Sequence, residues 1–180
     1  TRNGFEVFIP NFQTVRSGIY AISNWQASEK TLVQGGLRVD YGKNITEYTK
    51  RYVYATQGLA TDSLITEETD NDFFNISGSV GVNRKLGKRG ELRINVGKSF
   101  RVPYPNETSS NGVHHGTFRH EIGNPDLKSE HGYQLDLSTD WNWKKVSLNV
   151  ASYFNFFQNY IYLSPSSRFS TLPEAGQLYE

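Results

Sequence analysis

The sequence has no cysteine. That removes disulfides, thiolate metal sites and cysteine nucleophiles, and it argues against a small secreted module held together by disulfides. No stretch approaches the ~18–20 consecutive apolar residues of a membrane helix, and no segment carries a convincing helical period. Net charge is only +1, so no bulk attraction to nucleic acid or acidic partners is implied, and no nucleic-acid partner is expected. No signal peptide is recognisable at Thr1, and the chain reads as a portion of a longer protein. Asn-x-Ser/Thr sequons occur at Asn44, Asn75 and Asn106. They are read as chance matches, because Asn75 falls inside a strand pattern and glycans need exposed loops.

What the chain does have is aromatic rings. Eleven Tyr, eleven Phe and three Trp occur in 180 residues, yet mean hydropathy is −0.59. Hydropathy alone would suggest a soluble protein. That inference fails for a membrane β-strand, in which only every second residue is apolar.

The dominant signal has period two. Val33, Leu37, Val39 and Tyr41 share one parity, against Gln34, Arg38 and Asp40. Phe74, Ile76, Gly78, Val80 and Val82 alternate with Asn75, Ser77, Ser79 and Gly81. Leu92, Ile94 and Val96 alternate with Arg93, Asn95 and Gly97. Tyr133, Leu135, Leu137, Trp141 and Trp143 oppose Gln134, Asp136, Ser138, Asp140 and Asn142. Such alternation predicts strands with one apolar and one polar face. Further strands are expected at about Arg16–Ala27 and Val146–Tyr162, with a fragmentary one at Gly4–Ile9.

Connections alternate as well. Ser28–Lys30, Arg84–Gly90 and Lys144–Lys145 are short turns. Gly42–Asp72, Arg101–Glu130 and the segment from Ser164 onward are long and polar. Every long loop therefore lies at one end of the strands, as in an outer-membrane barrel with short periplasmic turns and long extracellular loops. Tyr41, Phe73, Phe74, Phe100, Tyr133 and Tyr160 fall at the long-loop ends, and Trp25, Trp141 and Trp143 at the short-turn ends. Two such rings match the aromatic girdles of the membrane interfaces. The polar face then becomes a lumen wall whose charges pair across strands. It must be wetted or met by a polar plug, because dry burial would be costly.

The loop after Phe100 carries the candidate chemistry. His114, His115, His120, Glu107 and Glu121 lie close in sequence, and imidazole with carboxylate suits zinc, copper or iron, including haem iron. Gly112 and Gly116 give the backbone freedom for adjacent histidines to face one ligand. Two readings stand: a transient metal or ligand capture site, or solvated residues bonding the loop's own backbone. Arg101 suits bidentate pairing with a carboxylate such as Glu107, which would anchor the loop. His120-Glu121 is not a metalloprotease motif, since Asn124 replaces the second histidine and Pro125 follows. No nucleophile elbow or phosphate loop is present, so no enzyme activity is expected.

Several segments together resemble TonB-dependent outer-membrane receptors: Phe100-Arg101-Val102-Pro103, Asn106-Glu107, Gly112-x-His114, Gly116-Thr117, Glu121-x-Gly123-Asn124-Pro125-x-Leu127 and Glu130. Gly35-Gly36-Leu37-Arg38-x-Asp40 is similar to a barrel strand of that family, and Asn155-Phe156 with Asn159-Tyr160-Ile161 to a later one. The likeness runs from about residue 15 to 163. The His114-His115 segment with Asn159-Tyr160-Ile161-Tyr162 looks most like the branch associated with zinc and haem uptake.

The resemblance implies an all-β fold: antiparallel up-and-down strands of a transmembrane β-barrel. Residues 1–180 would be a partial barrel domain with about seven strands, against roughly 22 in a plugged transporter. Neither the plug nor the energy-coupling box of the family is seen. The implied function is capture and import of a scarce nutrient, namely iron-siderophore, haem or zinc, across the outer membrane of a bacterial cell. No cofactor is built in; metal or haem would be cargo. Implied partners are outer-membrane lipid, the remaining barrel with its plug, and the TonB energy-transducing protein. Candidate ligand-binding residues are His114, His115, Arg101 and Glu107, and candidate metal ligands are His114, His115, His120 and Glu121. The competing expectation is a soluble β-sandwich binding a glycan or protein through its long loops. A metal-dependent hydrolase using the histidines is a third.

Overall fold

The computed structural model describes residues 9–54, 60–114, 116–170 and 177–180. Within them the chain is almost entirely strand. β1 (Phe12–Ser28), β2 (Thr31–Thr46), β5 (Thr69–Leu86), β6 (Gly90–Arg101), β9 (Glu130–Asn142) and β10 (Ser147–Gln158) are the long strands. β3 (Thr49–Tyr54) and β4 (Ala60–Thr66) form a separate hairpin. α1 (Pro105–Ser109), β7 (Asn111–His114), β8 (Arg119–Ile122), β11 (Pro165–Phe169) and β12 (Gln177–Tyr179) are short.

The long strands form one sheet in the order β1-β2-β5-β6-β9-β10, each antiparallel to its neighbours. Sequence order equals spatial order, so this is an up-and-down meander. The sheet holds six strands rather than about seven. The strand expected at Gly4–Ile9 falls on residues outside those described, except for Ile9, which lies in a bend.

Register assigns the faces, since directly opposed residues in an antiparallel pair share one. Val33, Val82, Ile94 and Leu137 lie in one row across four strands, and Gly35, Val80, Val96, Leu135 and Phe154 in the next. Arg38 opposes Ser77, Asn95 opposes Asp136, and Glu91 opposes Asp140 on the reverse face. Among the described residues nothing covers the apolar rows: Leu37 is 58%, Leu135 45% and Phe154 64% exposed. Among the described residues no second sheet stacks over them, as a soluble sandwich would require.

The polar face is knit by its own side chains. Arg93 bridges Glu91 on its own strand and Asp140 on β9, at 3.1 and 2.7 Å. Asp136 accepts from Asn95 and Gln134. Gln34 on β2 donates to Asn24 on β1 at 3.0 Å, and Arg38 pairs with Asp40 two residues along at 2.6 Å. Arg38, Arg93, Asp40, Asp136 and Asp140 are satisfied laterally in this way, and the face stays hydrophilic.

Turns sort by length as expected. β1–β2, β5–β6 and β9–β10 close at one end, with Gly87 at φ +66° in the second turn and Trp143 donating to the Val146 carbonyl at 2.8 Å in the third. At the opposite end the chain runs out into β3–β4 after β2, into α1, β7 and β8 after β6, and into β11 and β12 after β10.

Three expectations need correction. The loop placed at Gly42–Asp72 is not a loop throughout: β2 continues to Thr46, β5 begins at Thr69, and the hairpin β3–β4 lies between. Phe73 is not in the outer girdle. It opposes Gly42 on the polar side and is 7% exposed. Tyr160 also leaves the girdle, because β10 ends at Gln158 and Asn159 adopts φ +56°. That left-handed conformation suits Asn and redirects the chain. Tyr41 and Phe74 do face each other outward, as do Tyr133 and Phe156, whose ring centroids lie 6.1 Å apart.

Candidate site at the long-loop mouth

The buried part of the described chain is small and gathered at the long-loop end. Phe73 and Val102 are buried there beside Asn44, Thr46, Thr108 and Ser109. This follows from β2 and β5 overshooting the sheet: Asn44 and Thr46 continue the polar face outward, and the connection after β6 folds back onto it. Asn44 donates to the Pro103 carbonyl at 3.1 Å, Ser109 to Thr46 Oγ1 at 3.3 Å, and Thr66 to the Ser109 carbonyl at 3.1 Å. Proline at the first turn of α1 fits a position whose N–H needs no partner, and Glu107 accepts the Tyr104 N–H at 2.8 Å.

Arg101 fixes this fold-back. Its Nη1 meets both Glu107 oxygens at 2.8 Å, and its Nη2 reaches Glu130 at 3.4 Å. Glu130 also accepts the Ile161 N–H at 3.0 Å. One guanidinium thus ties the end of β6 to α1, to the start of β9 and to the segment leaving β10. Burial opposes its charge, but the two carboxylates outweigh that and hold it above its ordinary pKa. The Tyr104 ring stacks near it at 5.7 Å. The expected Arg101–Glu107 pair is present, with Glu130 as a further partner.

Gly123 closes the other side of the same loop. A Cβ there would lie 2.5 Å from the Ser109 nitrogen and 2.6 Å from the Thr108 carbonyl carbon. Both are backbone atoms that cannot swing away. Gly123 donates to the Ser110 carbonyl at 2.7 Å, and Asn124 to that of Glu107 at 2.9 Å, so the Gly-Asn-Pro segment is a seat for α1.

His114 and His120 do not converge. In β7–β8, Val113 opposes His120 and His114 opposes Arg119, so His114 and His120 are on opposite faces. His114 is exposed, with Nδ1 3.2 Å from Thr117 Oγ1. His120 is 7% exposed and holds Ser170 through Nδ1 at 2.8 Å and Asn111 through Nε2 at 3.0 Å. Both ring nitrogens of His120 are therefore occupied within the protein. His115 lies outside the described residues. Among the described residues no three His, Cys, Asp or Glu side chains are grouped to hold a metal ion.

A cleft of about 420 Å³ opens beside this loop, lined by Glu107, Glu121, Asn124, Tyr160, Tyr162 and Glu180 among others. Tyr160 and Tyr162 stack at 6.2 Å, and Phe157 meets Tyr160 edge-on at 5.6 Å. Glu180 belongs to an ion pair with Arg168. Tyr162 and Glu180 were not among the candidates read from sequence. The Tyr-x-Tyr spacing was visible there, but nothing in it said that Asn159 would turn both rings toward the loop.

The β-barrel model of the TonB-dependent receptor-like family matches residues 2–179. Among solved structures, a double mutant of the Serratia marcescens haemophore receptor HasR, in complex with its haemophore HasA and haem, is similar. The TM-score is 0.74 at 22% identity, over 99% of this chain and 31% of that one. The copper transporter OprC is similar at TM-score 0.68 and 20% identity, over 92% of this chain and 24% of that one. The chain thus spans a third or less of the structures it matches. The chain belongs to the TonB-dependent receptor family as a portion of its β-barrel.

Proposed function

We propose that the chain forms wall and mouth of an outer-membrane transporter that imports a scarce nutrient, in the class of iron-siderophore, haem or chelated metal. The observation that carries this reading is the sheet's asymmetry: bare aliphatic rows on one face, a laterally paired polar wall on the other, and every long connection folded at one end. A bilayer satisfies the first face and an aqueous lumen the second. The open edges of β1 and β10, exposed along their length, would be met by further barrel strands.

In this reading the mouth takes the ligand first. The stacked Tyr160 and Tyr162 offer flat apolar area to a porphyrin or an aromatic chelate, and exposed His114, together with His115, offers imidazole to a metal that must later be released. Arg101 and Glu107 keep the loop in place beneath them. A plug elsewhere in the protein would sense the bound ligand, and the TonB protein would supply work from the inner membrane. The similar receptors for haem–haemophore and copper support a metal-bearing cargo.

The test is uptake at limiting ligand by the whole receptor, with haem, a ferric siderophore, zinc and copper offered separately. Replacing Tyr160 and Tyr162 with Ala, or His114 and His115 with Ala, is expected to weaken capture of one of these while barrel yield holds. Unchanged uptake of all four by both variants would refute the assignment of the mouth.

A further inference from the structure

The short-turn rim differs in charge from the rest of the chain. Lys30, Arg84, Lys85, Lys88, Arg89, Lys144 and Lys145 occupy or border the three turns, against Glu29, Glu91 and Asp140. Since the whole chain nets +1, everything outside this rim is net negative. The turns are contiguous: Lys85 donates its N–H to the Lys30 carbonyl, and Asn142 to that of Arg89, both at 2.8 Å. The cations therefore form one band.

The cations that hold a carboxylate lie elsewhere in the chain. Arg38, Lys43, Arg93, Arg101 and Arg168 each hold a carboxylate. All seven rim cations are exposed, and among the described residues none forms a side-chain ion pair. Glu91, the acid nearest the second turn, is taken by Arg93.

The band sits against the aromatic row at that end. Trp25 opposes Val33 on the outward face, and Trp141 opposes Leu148. Trp141 lies on Gly90, where a Cβ would come within 2.9 Å of its ring, and stacks on Trp143 at 6.2 Å. Arg84 shares the outward parity of Val80 and Val82, opposite Thr31 and Leu92. It is the next residue of that row beyond the aliphatic band, where a long stem can lie along apolar surface while its charge reaches headgroups.

We infer that this rim is a docking surface for anionic phospholipid headgroups of the adjoining membrane leaflet. Unpaired cations placed just past a belt of indole rings match a plane of phosphodiesters above hydrocarbon, and clustered Lys and Arg beside a membrane-spanning element draw anionic lipid. A soluble acidic protein would be served by the charge but not by the outward Arg84 and the tryptophans beside it. The inference rests on the membrane-barrel reading.

The whole receptor, reconstituted in nanodiscs of phosphatidylethanolamine and phosphatidylglycerol, tests it. Lipids retained after mild detergent release are counted by native mass spectrometry, for the unmodified protein and for a variant with Arg84→Gln, Lys88→Gln, Lys144→Gln and Lys145→Gln. A milder pair, Lys144→Gln with Lys145→Gln, guards against misfolding, and barrel integrity is read separately from heat-shifted electrophoretic mobility. The expected result is enrichment of phosphatidylglycerol that falls about fivefold per cation removed, survives Lys→Arg replacement and weakens in high salt. Equal retention of both lipids, or enrichment indifferent to the substitutions in an intact barrel, overturns the proposal while leaving the barrel reading standing. Lipid indifference together with binding of soluble polyglutamate would reassign the rim to an acidic protein and equally overturn it. A receptor that never enters the bilayer defeats both.

Discussion

Arg101→Gln removes a side chain that joins the end of β6 to α1 and to the start of β9. In the structure its guanidinium meets Glu107 through two 2.8 Å contacts and Glu130 at 3.4 Å, with side-chain exposures of 31%, 23% and 12% for the three residues. A fully exposed pair would contribute about 0–1 kcal/mol, and hydrogen bonds to charged groups about 1.5–3. The carboxylates are mostly covered and would be left facing each other, while each keeps one backbone N–H. About 2 kcal/mol is therefore expected, or roughly a thirtyfold increase in loop opening. Hydrogen exchange on the purified receptor reads this directly. Amides in residues 102–129 should lose protection while the β1–β2 and β5–β6 ladders keep theirs. Arg101→Lys should recover only part of it, because an ammonium lacks the planar fork. Adding Glu107→Gln to Arg101→Gln should cost less than the two changes separately. Unchanged protection across 102–129, or loss spread evenly over the whole sheet, would refute the anchoring argument.

Gly123→Ala should loosen the same loop from its other side, by several kcal/mol, since the added methyl meets backbone of Thr108 and Ser109 that cannot yield; limited proteolysis within 102–129 measures it. Leu135→Arg places a charge in the outward row between Val96 and Phe154 and should cost roughly 2–4 kcal/mol of barrel stability. Gln134→Arg, one residue away on the polar wall, should cost far less, and equal yields of folded barrel from the two would contradict the faces.

The long strands were legible because one face meets a single solvent and the other a different one, so the period-two pattern persists for the depth of the apolar band. The pattern fades where that contrast ends. Beyond Tyr41, Lys43 and Asn44 are both polar, and so are Asn71 and Asp72 before Phe73. The strand continues there with polar residues on both faces, one of them covered by the connection folded back after β6, which is why β2 and β5 are longer than their alternation showed. Adjacent Phe73 and Phe74 posed a different difficulty, since composition does not say which ring points outward. Register does, by placing Phe73 opposite Gly42, where the missing side chain leaves room. α1, β7 and β8 are four or five residues long, too short for any period to emerge.

At the mouth, the Arg101–Glu107 pair was readable from charge and spacing. Glu130 as the second partner was not, because the contact depends on the pairing of β6 with β9. The environment of His120 was likewise hidden. Its hydrogen bond to Ser170 spans fifty residues and depends on β12 pairing with both β8 and β11, the strand that Ser170 follows.

The central claim is that hydrocarbon meets the row containing Val96, Leu135 and Phe154 while water meets Asn95, Gln134 and Asn155. Single cysteines at these six positions, each carrying an environment-sensitive fluorophore in the reconstituted receptor, test it residue by residue. Lipid-borne quenchers should act on the first three and water-soluble quenchers on the second three, with the sense reversing at every step along a strand. Uniform quenching by either agent, or shielding of the first three from lipid, would contradict the account.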